Sequence, residues 1–386
     1  MHDRRLSLDI DGVASLFCSD SVNGNYCVYA RPMAVRLKDI AQDLGLSIVT
    51  VSKVLRNHPD IGAATRKRVL ERVKELNYQP NLTARSLVAG QTWTVGLVVP
   101  DLLHPFFAVI AKAISADIRR QGYSLFISSS DEDPELEIQE IQQLLARRVD
   151  VIMLASCLPS AEGLGGTGIR NLPCILIDRQ LPGLDVDFVG SNDEQIGELA
   201  TAHLIEQGCR RIAHICGPDV STALGRLEGY KRALVRRGLA PQPDHIAHVG
   251  DSGDHLGIEG GYKAAVRLLT ASPRPDGIFC YNDPSATGAM RAILEAGLRV
   301  PEDVALVGCG NVPYSESLRV PLTSIDQGGE VIGRYAAVMA LKLAAKKPTR
   351  RKANAELIPI QLVPRDSSRR LMHAESRFRI AAAAGT

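Results

Sequence analysis

Residues 37–57 read LKDIAQDLGLSIVTVSKVLRN, and this stretch decides how the chain begins. Leu37, Ile40, Ala41 and Leu44 recur at helical spacing, and Gly45 supplies a turn directly after them. Ser47 stands where an N-cap belongs, since its hydroxyl can accept from a backbone N–H that a starting helix leaves unpaired. Val51, Val54 and Leu55 of the second helix then face back toward the first. Two short helices joined by so tight a turn make a helix-turn-helix. A third helix is expected from about Ala63 to Leu76, with Val69, Val73 and Leu76 on one stripe that closes a small core.

The charge on this segment points the same way. Between residues 34 and 90 there are ten basic residues against five acids, about +5, in a chain of 386 residues whose formal net charge is +2. The remainder therefore carries a small negative balance, as expected of a nucleic-acid module joined to a neutral or acidic sensor. A charged helical face alone would read as solvated surface; its coincidence with helix-turn-helix spacing favours DNA.

Outward from the head, residues 1–33 show no sustained periodicity and read as a leader of a different kind, either a disordered arm or a tract preceding a true start at Met33. Asp9 and Asp11 interrupt any would-be apolar region, and Phe17 sits where a lipoprotein cleavage site wants a small residue, so export is not expected. No apolar run approaches the roughly 18 residues that cross a bilayer. The eight cysteines, several in strand-like runs such as CILID and HIC, read as reduced core residues of a cytoplasmic protein.

From Thr94 onward, short β-rich runs alternate with helical stretches: TVGLVV, SLFISS, VIMLAS, CILID, DFVGS, RIAHIC, GIFCYN and VALVGC. Such alternation implies parallel sheets covered by helices.

The run 37–57, followed by TRKRVLERVKELNYQPNLTARSL, resembles the DNA-binding head and hinge of the lactose/galactose repressor family of bacterial transcription regulators, and the similarity continues over almost all of 36–366. The resemblance implies an all-α head with a hinge helix, then an α/β body of two doubly wound parallel-sheet subdomains of the periplasmic-binding-protein type. The implied organisation is a head at 34–79, a hinge helix and linker at 80–91, an effector-binding and dimerisation body at 92–366, and a tail at 367–386. Within the body, one subdomain takes about 92–192 and 327–356, the other about 193–326 and 357–366, with crossovers near 191–193, 326–328 and 356–358.

In that family the second helix reads the major groove. Here its first residues are Ile48 and Val49, with Lys53 one turn later. Apolar side chains contact a thymine methyl but cannot fork hydrogen bonds, so thymine is expected opposite Ile48/Val49, with Lys53 reaching guanine or a phosphate. Ser47, Thr50 and Ser52 are assigned to phosphates, and Asn57 joins the DNA contacts by resemblance. In the hinge, the resemblance makes Leu87 a wedge that enters the minor groove from each of two subunits, with Asn81 and Arg85 near the backbone. The operator is then a pseudo-palindrome and the protein a homodimer.

The effector site is expected beyond the carboxyl ends of the strands, where two subdomains face each other. Phe106 and Phe107 follow the first strand, Asp178 and Arg179 follow CILI, Asn282 and Asp283 follow GIFCY, and Arg226 lies in the family motif GRLEGY. Flat rings beside groups that fork hydrogen bonds suit a sugar or nucleoside. One departure matters: where many relatives read Gly-Tyr-Asp with the Asp on the effector, this chain reads Gly308-Cys309-Gly310, so position 310 offers no acceptor. Between Gly250 and Tyr262 the chain is longer than in relatives, and His255 is the pocket candidate there.

Other patterns are declined. Gly163 to Gly168 satisfies GxGxxG but does not sit between a strand and a helix. His203, Cys209, His214 and Cys216 lack a metal-ligand register. No cofactor, metal or membrane partner is expected, and no nucleophile–base–acid signature suggests an enzyme. A solute-binding protein would share the body but carry an export signal and no basic head.

Overall fold

The computed structural model describes residues 35–55, 57–78, 86, 89–169, 172–250, 257–345 and 352–370. Asn81, Arg85, Leu87 and His255 lie outside the described residues. The chain divides into two compact units, 1–85 and 86–386.

In the first unit, α1 (Leu37–Leu44), α2 (Ile48–Leu55) and α3 (Ala63–Glu75) pack around Ile40, Ala41, Val51, Val54 and Val69. Gly45 ends α1 in the left-handed conformation at φ 63°, and the Ser47 hydroxyl accepts from Thr50 N at 3.0 Å to start α2. Arg68 donates to the carbonyl of Leu44 and Arg72 to the carboxylate of Asp43, so two cations of α3 bind α1.

The second unit contains two six-stranded sheets. Strands β1 (Thr94–Val99), β2 (Ser124–Ser129), β3 (Val151–Leu154), β4 (Cys174–Ile177), β5 (Asp187–Gly190) and β11 (Ala355–Leu357) form the first, in the order β11-β5-β4-β3-β1-β2, all parallel. Strands β6 (Ile212–Cys216), β7 (Ile246–His248), β8 (Gly277–Cys280), β9 (Ala305–Cys309), β10 (Thr323–Asp326) and β12 (Gln361–Val363) form the second, in the order β12-β10-β9-β8-β6-β7, with β12 antiparallel. The first lobe carries α4 (Pro105–Arg119), α5 (Pro134–Ala146) and α10 (Gly329–Ala344); the second carries α6 (Asp193–Glu206), α7 (Ser221–Arg236), α8 (Ile258–Leu269) and α9 (Asp283–Glu295).

Each inner strand is buried on both faces, which is why it reads as a continuous apolar run. Val95, Leu97 and Val99 of β1 join the cluster that includes Ile110 and Ile114 of α4 and Ile332 and Ala336 of α10; Val98 points the other way, toward Ile141 and Leu144 of α5. Three crossings join the lobes: after β5, after β10 and after β11. They run side by side, since Ser191 Oγ donates to Gln327 O and Ile358 N donates to Gly190 O.

Helix pairs of the second lobe touch backbone to backbone. A Cβ on Gly288 of α9 would lie 1.8 Å from the carbonyl oxygen of Ile258, and one on Gly229 of α7 would lie 2.0 Å from that of Glu194. No side chain fits without separating the helices. Gly288→Ala should therefore lower stability by about 2–3 kcal/mol, in the usual range for overpacking, read as a shift in urea midpoint with little change in slope.

Candidate functional sites

Ile48 and Val49 are 52% and 62% exposed at the start of α2, although most apolar residues of the head are at least partly buried. They stand outside the apolar cluster of the head. Thr50 Oγ1 shares a hydrogen with Ser47 Oγ at 2.9 Å, so these two hydroxyls form the cap and present its outer edge. Lys53, expected to reach DNA, has its ammonium 2.6 Å from Asp60 Oδ2. Asn57 ends the helix at φ 55°, its side-chain oxygen accepting from Arg66 Nη1, while Arg66 Nη2 donates to His58 O at 2.6 Å. Part of the positive charge counted in the sequence is thus engaged within the head. An open hollow of about 550 Å³ on the outer side of α3, lined by Ile61, Leu70 and the charged Arg66, Lys67, Glu71 and Lys74, gathers no buried polar group.

In the second unit, His104, Phe106 and Phe107 from the end of β1 and the start of α4 meet Asp178 and Arg179 after β4. Across the cleft stand Thr222 and Arg226 of α7, Tyr281 and Asn282 after β8, and Cys309 at the end of β9, with Gln327 from the second crossing. Six of the seven residues expected at the effector come together here. Asp283 does not line the cleft, which corrects the expectation: its carboxylate accepts from Ser324 Oγ at 2.6 Å, Val312 N at 2.8 Å and Ser315 Oγ at 3.1 Å inside its own lobe. His104, Thr222, Tyr281, Cys309 and Gln327 were not expected. Reading every strand to its last residue would have found Tyr281 and Cys309, whereas Gln327 arrives by a crossing that no local pattern marks.

The cleft is built from buried charges. Arg179 holds Glu132 with both terminal nitrogens, at 2.6 and 2.8 Å, and donates to Ser156 O at 3.3 Å. Glu132 reaches it from a turn whose residues Asp131 and Glu132 are both left-handed, at φ 49° and 57°. Arg179 Nε is buried and unpartnered among the described residues. Arg226 donates from Nε to Asp193 Oδ1 at 3.0 Å and from Nη1 to Tyr281 O at 2.6 Å, with its guanidinium 5.4 Å from the Tyr281 ring centroid. Asp178 sits at φ 63° where a Cβ on Gly190 would come within 3.1 Å of its Cα, and it accepts from Gln327 Nε2 at 3.2 Å. A left-handed conformation is uncommon for a non-glycine residue, and such residues cluster at functional sites.

Burial, opposed by Arg226 and Arg179, raises the Asp178 carboxyl, and burial pushes Asp193 up to about 7 against the pull of Arg226. His104 is held down to about 4 by burial and by the nearby Arg179, so it is neutral. Its Nδ1 accepts from Phe106 N at 3.3 Å, which places the hydrogen on Nε2, 3.3 Å from Asn282 Nδ2. Asn282 Oδ1 is already taken by Ser285 N at 2.8 Å, so two donors face each other between the lobes. With the lobes parted, an oxygen placed between them would accept from both. Gln180 N donates to Ser221 Oγ at 2.8 Å, a direct link across the cleft. These contacts leave a free volume of about 20 Å³, far below a ligand pocket of roughly 300 Å³, so admitting a sugar-sized molecule requires the lobes to part.

The declined motifs are structural. Gly163 and Leu164 end a short 3₁₀ turn (Ala161–Leu164), and residues 165–167 continue as turn and bend. His203 pairs with Ser368, and His214 stacks between Tyr230 and Phe279. No helix among the described residues is long and apolar enough to cross a membrane.

Residues 36–81 match the family described as bacterial regulatory proteins, lacI family, and residues 201–368 match a periplasmic binding protein-like domain. The chain is 33% identical over 335 residues to the ribose operon repressor of Halalkalibacterium halodurans, covering 86% of this chain and 97% of that one. It is 33% identical over 313 residues to the HTH-type transcriptional repressor PurR of Haemophilus influenzae, covering 81% and 91%. Among solved structures, the lac repressor dimer bound to operator and the anti-inducer ONPF aligns with a TM-score of 0.74 at 27% identity, over 87% of this chain and 99% of that one.

Proposed function

The chain belongs to the lacI family of bacterial regulatory proteins and is a DNA-binding transcriptional regulator with a small-molecule effector domain; we propose that it is a homodimeric repressor, acting in the cytoplasm, whose effector is a neutral sugar or nucleoside. The observation that carries this reading is the set of unfilled hydrogen-bonding positions in the cleft. Among the described residues Arg179 Nε has no acceptor, His104 and Asn282 oppose two donors, and Asp178 brings a carboxyl group from the first lobe. A polyhydroxylated molecule supplies acceptors to the first groups and a hydroxyl to Asp178. In this reading Asp178 takes the part that Gly310 cannot. Glu132 and Asp193 already engage the two guanidinium groups, which disfavours an additional anionic charge such as a phosphate.

Phe106, Phe107, Asp178, Arg179, Arg226 and Asn282 form the effector contacts in this proposal, with His104 and Gln327 added. Ile48 and Val49 read thymine methyls, Ser47, Thr50 and Ser52 meet phosphates, and Lys53 reaches guanine or phosphate. Asn81, Arg85 and Leu87 are retained as hinge contacts to the minor groove. Effector binding reshapes the lobes and so shifts operator affinity; a tenfold change needs about 1.4 kcal/mol of coupling, within the allosteric range.

Thermal denaturation of the full-length protein with D-ribose, other neutral monosaccharides, nucleosides and sugar phosphates tests the reading. A neutral compound at a hundred times its Kd should add about 2.7 kcal/mol of stability and alter operator affinity. Stabilisation by sugar phosphates alone would overturn the neutral assignment.

A further inference from the structure

The strongest feature that the proposed function leaves unused is the ion pair at the end of α2. Lys53 is the one basic residue of that helix, and its ammonium lies 2.6 Å from Asp60 Oδ2. The other oxygen of Asp60 is 2.6 Å from His58 Nδ1. The loop that carries the carboxylate is pinned: His58 N donates to Lys53 O at 3.0 Å, and Arg66 binds both Asn57 Oδ1 and His58 O. Asp60 is therefore held beside the reading helix by a braced turn, although its side chain is 46% exposed.

We propose that Asp60 is a specificity-determining residue, an internal acceptor that occupies the Lys53 ammonium until a duplex presents a better one, and so suppresses sequence-independent binding. The inference rests on the reading that Lys53 faces DNA. The physical argument is one of exchange. An exposed ion pair contributes little to folding, because water screens it. Against a polyanion the same pair matters more, since a lysine neutralised by its own protein displaces no counterion from the phosphates. Sequence-independent binding depends on such displacement, whereas a guanine edge offers Lys53 two acceptors at a fixed place. Opening the pair also leaves a carboxylate facing the duplex, a cost that a poorly placed phosphate does not offset. Discrimination thus arises from a residue that need not touch the DNA.

The test uses the full-length chain and a fluorescent 30-base-pair duplex of arbitrary sequence, titrated over a range of salt concentrations with the unaltered protein, Asp60→Asn, Lys53→Ala and the double variant. Asp60→Asn should tighten binding about tenfold near 0.1 M salt and steepen the logarithmic salt dependence by about 0.9, the value for one further phosphate neutralised. In the Lys53→Ala background the same substitution should gain no more than about threefold, the part due to charge repulsion alone. Equal gains with and without Lys53 would overturn the masking proposal while leaving Lys53 at the DNA. If Lys53→Ala and Asp60→Asn each leave affinity and salt slope unchanged, both the placement of Lys53 at DNA and the inference fall. If Lys53→Ala weakens binding and Asp60→Asn does not strengthen it, the inference alone falls.

Discussion

Arg226→Ala should abolish the effector response while leaving operator binding by the ligand-free protein in place. Arg226 joins three parts of the site: the N-terminal turn of α6 through Asp193, the end of β8 through Tyr281 O, and the first lobe through its attraction to Asp178. Its position depends on the close approach of α6 and α7, in which Gly197 and Gly229 each face a carbonyl of the other helix. Truncation leaves a mostly buried Asp193 carboxylate without its cation, and breaking one partner out of a buried pair costs about 3–5 kcal/mol. The loss should depend on pH. Because the folded carboxyl of Asp193 is raised from 3.8 to about 7, its contribution to stability is complete below the ordinary carboxylate range and is lost as pH rises through about 7. Removing Arg226 raises that carboxyl further, so the deficit of the variant should grow between pH 5 and pH 8. Urea denaturation at the two pH values measures it, and fluorescence anisotropy with a labelled operator measures the response. A retained response would remove Arg226 from the effector site, and a deficit independent of pH would remove Asp193 as its energetic partner. Arg226→Lys should not rescue the response, because a single ammonium cannot serve Asp193, Tyr281 O and a ligand at fixed angles.

The same side chain shows how much of the site could be read from the chain. Arg226 was legible through the GRLEGY motif, and Phe106, Phe107, Asp178, Arg179 and Asn282 through their place after strands whose apolar runs are unmistakable. Helices α1 to α3 were legible because their period and their cap at Ser47 are local properties. Strands β7, β10, β11 and β12 were not, since none presents a continuous apolar run: β7, β11 and β12 are three residues each with a polar or charged member, and β10 is mostly polar. β10 reads TSID, polar for a reason that only the fold reveals: Ser324 bonds Asp283, and Thr323 bonds the Ser367 and Ser368 segment. Charge was the least legible quantity. Lys53, Arg66, Arg68 and Arg72 count as free cations in the sequence, yet each has a partner brought by a loop or a neighbouring helix. The donor conflict at His104 and Asn282 was equally out of reach, because it arises from two lobes meeting.

Asp283→Ala should cost about 4 kcal/mol of stability and leave effector affinity unchanged in the folded fraction. Its place directly after the strand run GIFCY put Asp283 at the effector in the sequence, and its position beside Asn282 made that reasonable. Its side chain instead organises the loop after β9. A Cβ on Gly308 would lie 2.2 Å from Asp283 Oδ1, so glycine at 308 makes room for this carboxylate, and Gly310 follows at φ 122°, a conformation that resists any side chain. Glycine at 308 is thus explained by what Asp283 needs, and glycine at 310 by its own backbone conformation. Its carboxylate accepts from Ser324, Ser315 and Val312 N, and leaving those donors unpaired costs roughly 1–3 kcal/mol each, less what rotating hydroxyls recover. Asp283→Asn should cost less, since one oxygen remains to accept. It also tests the sign of the titration. Burial raises the folded carboxyl of Asp283 above its ordinary range, although its three hydrogen bonds act in the other direction. Its contribution is therefore greatest below the ordinary carboxylate range and declines as pH rises through the folded value. The amide has no such decline, so the deficit of Asp283→Asn relative to the unaltered protein should narrow from acidic toward neutral pH. A deficit that widened instead would show that the ionised form is the stabilising one and that hydrogen bonding, not burial, dominates at this position. A loss of effector affinity in either variant, with the fold retained, would return Asp283 to the cleft.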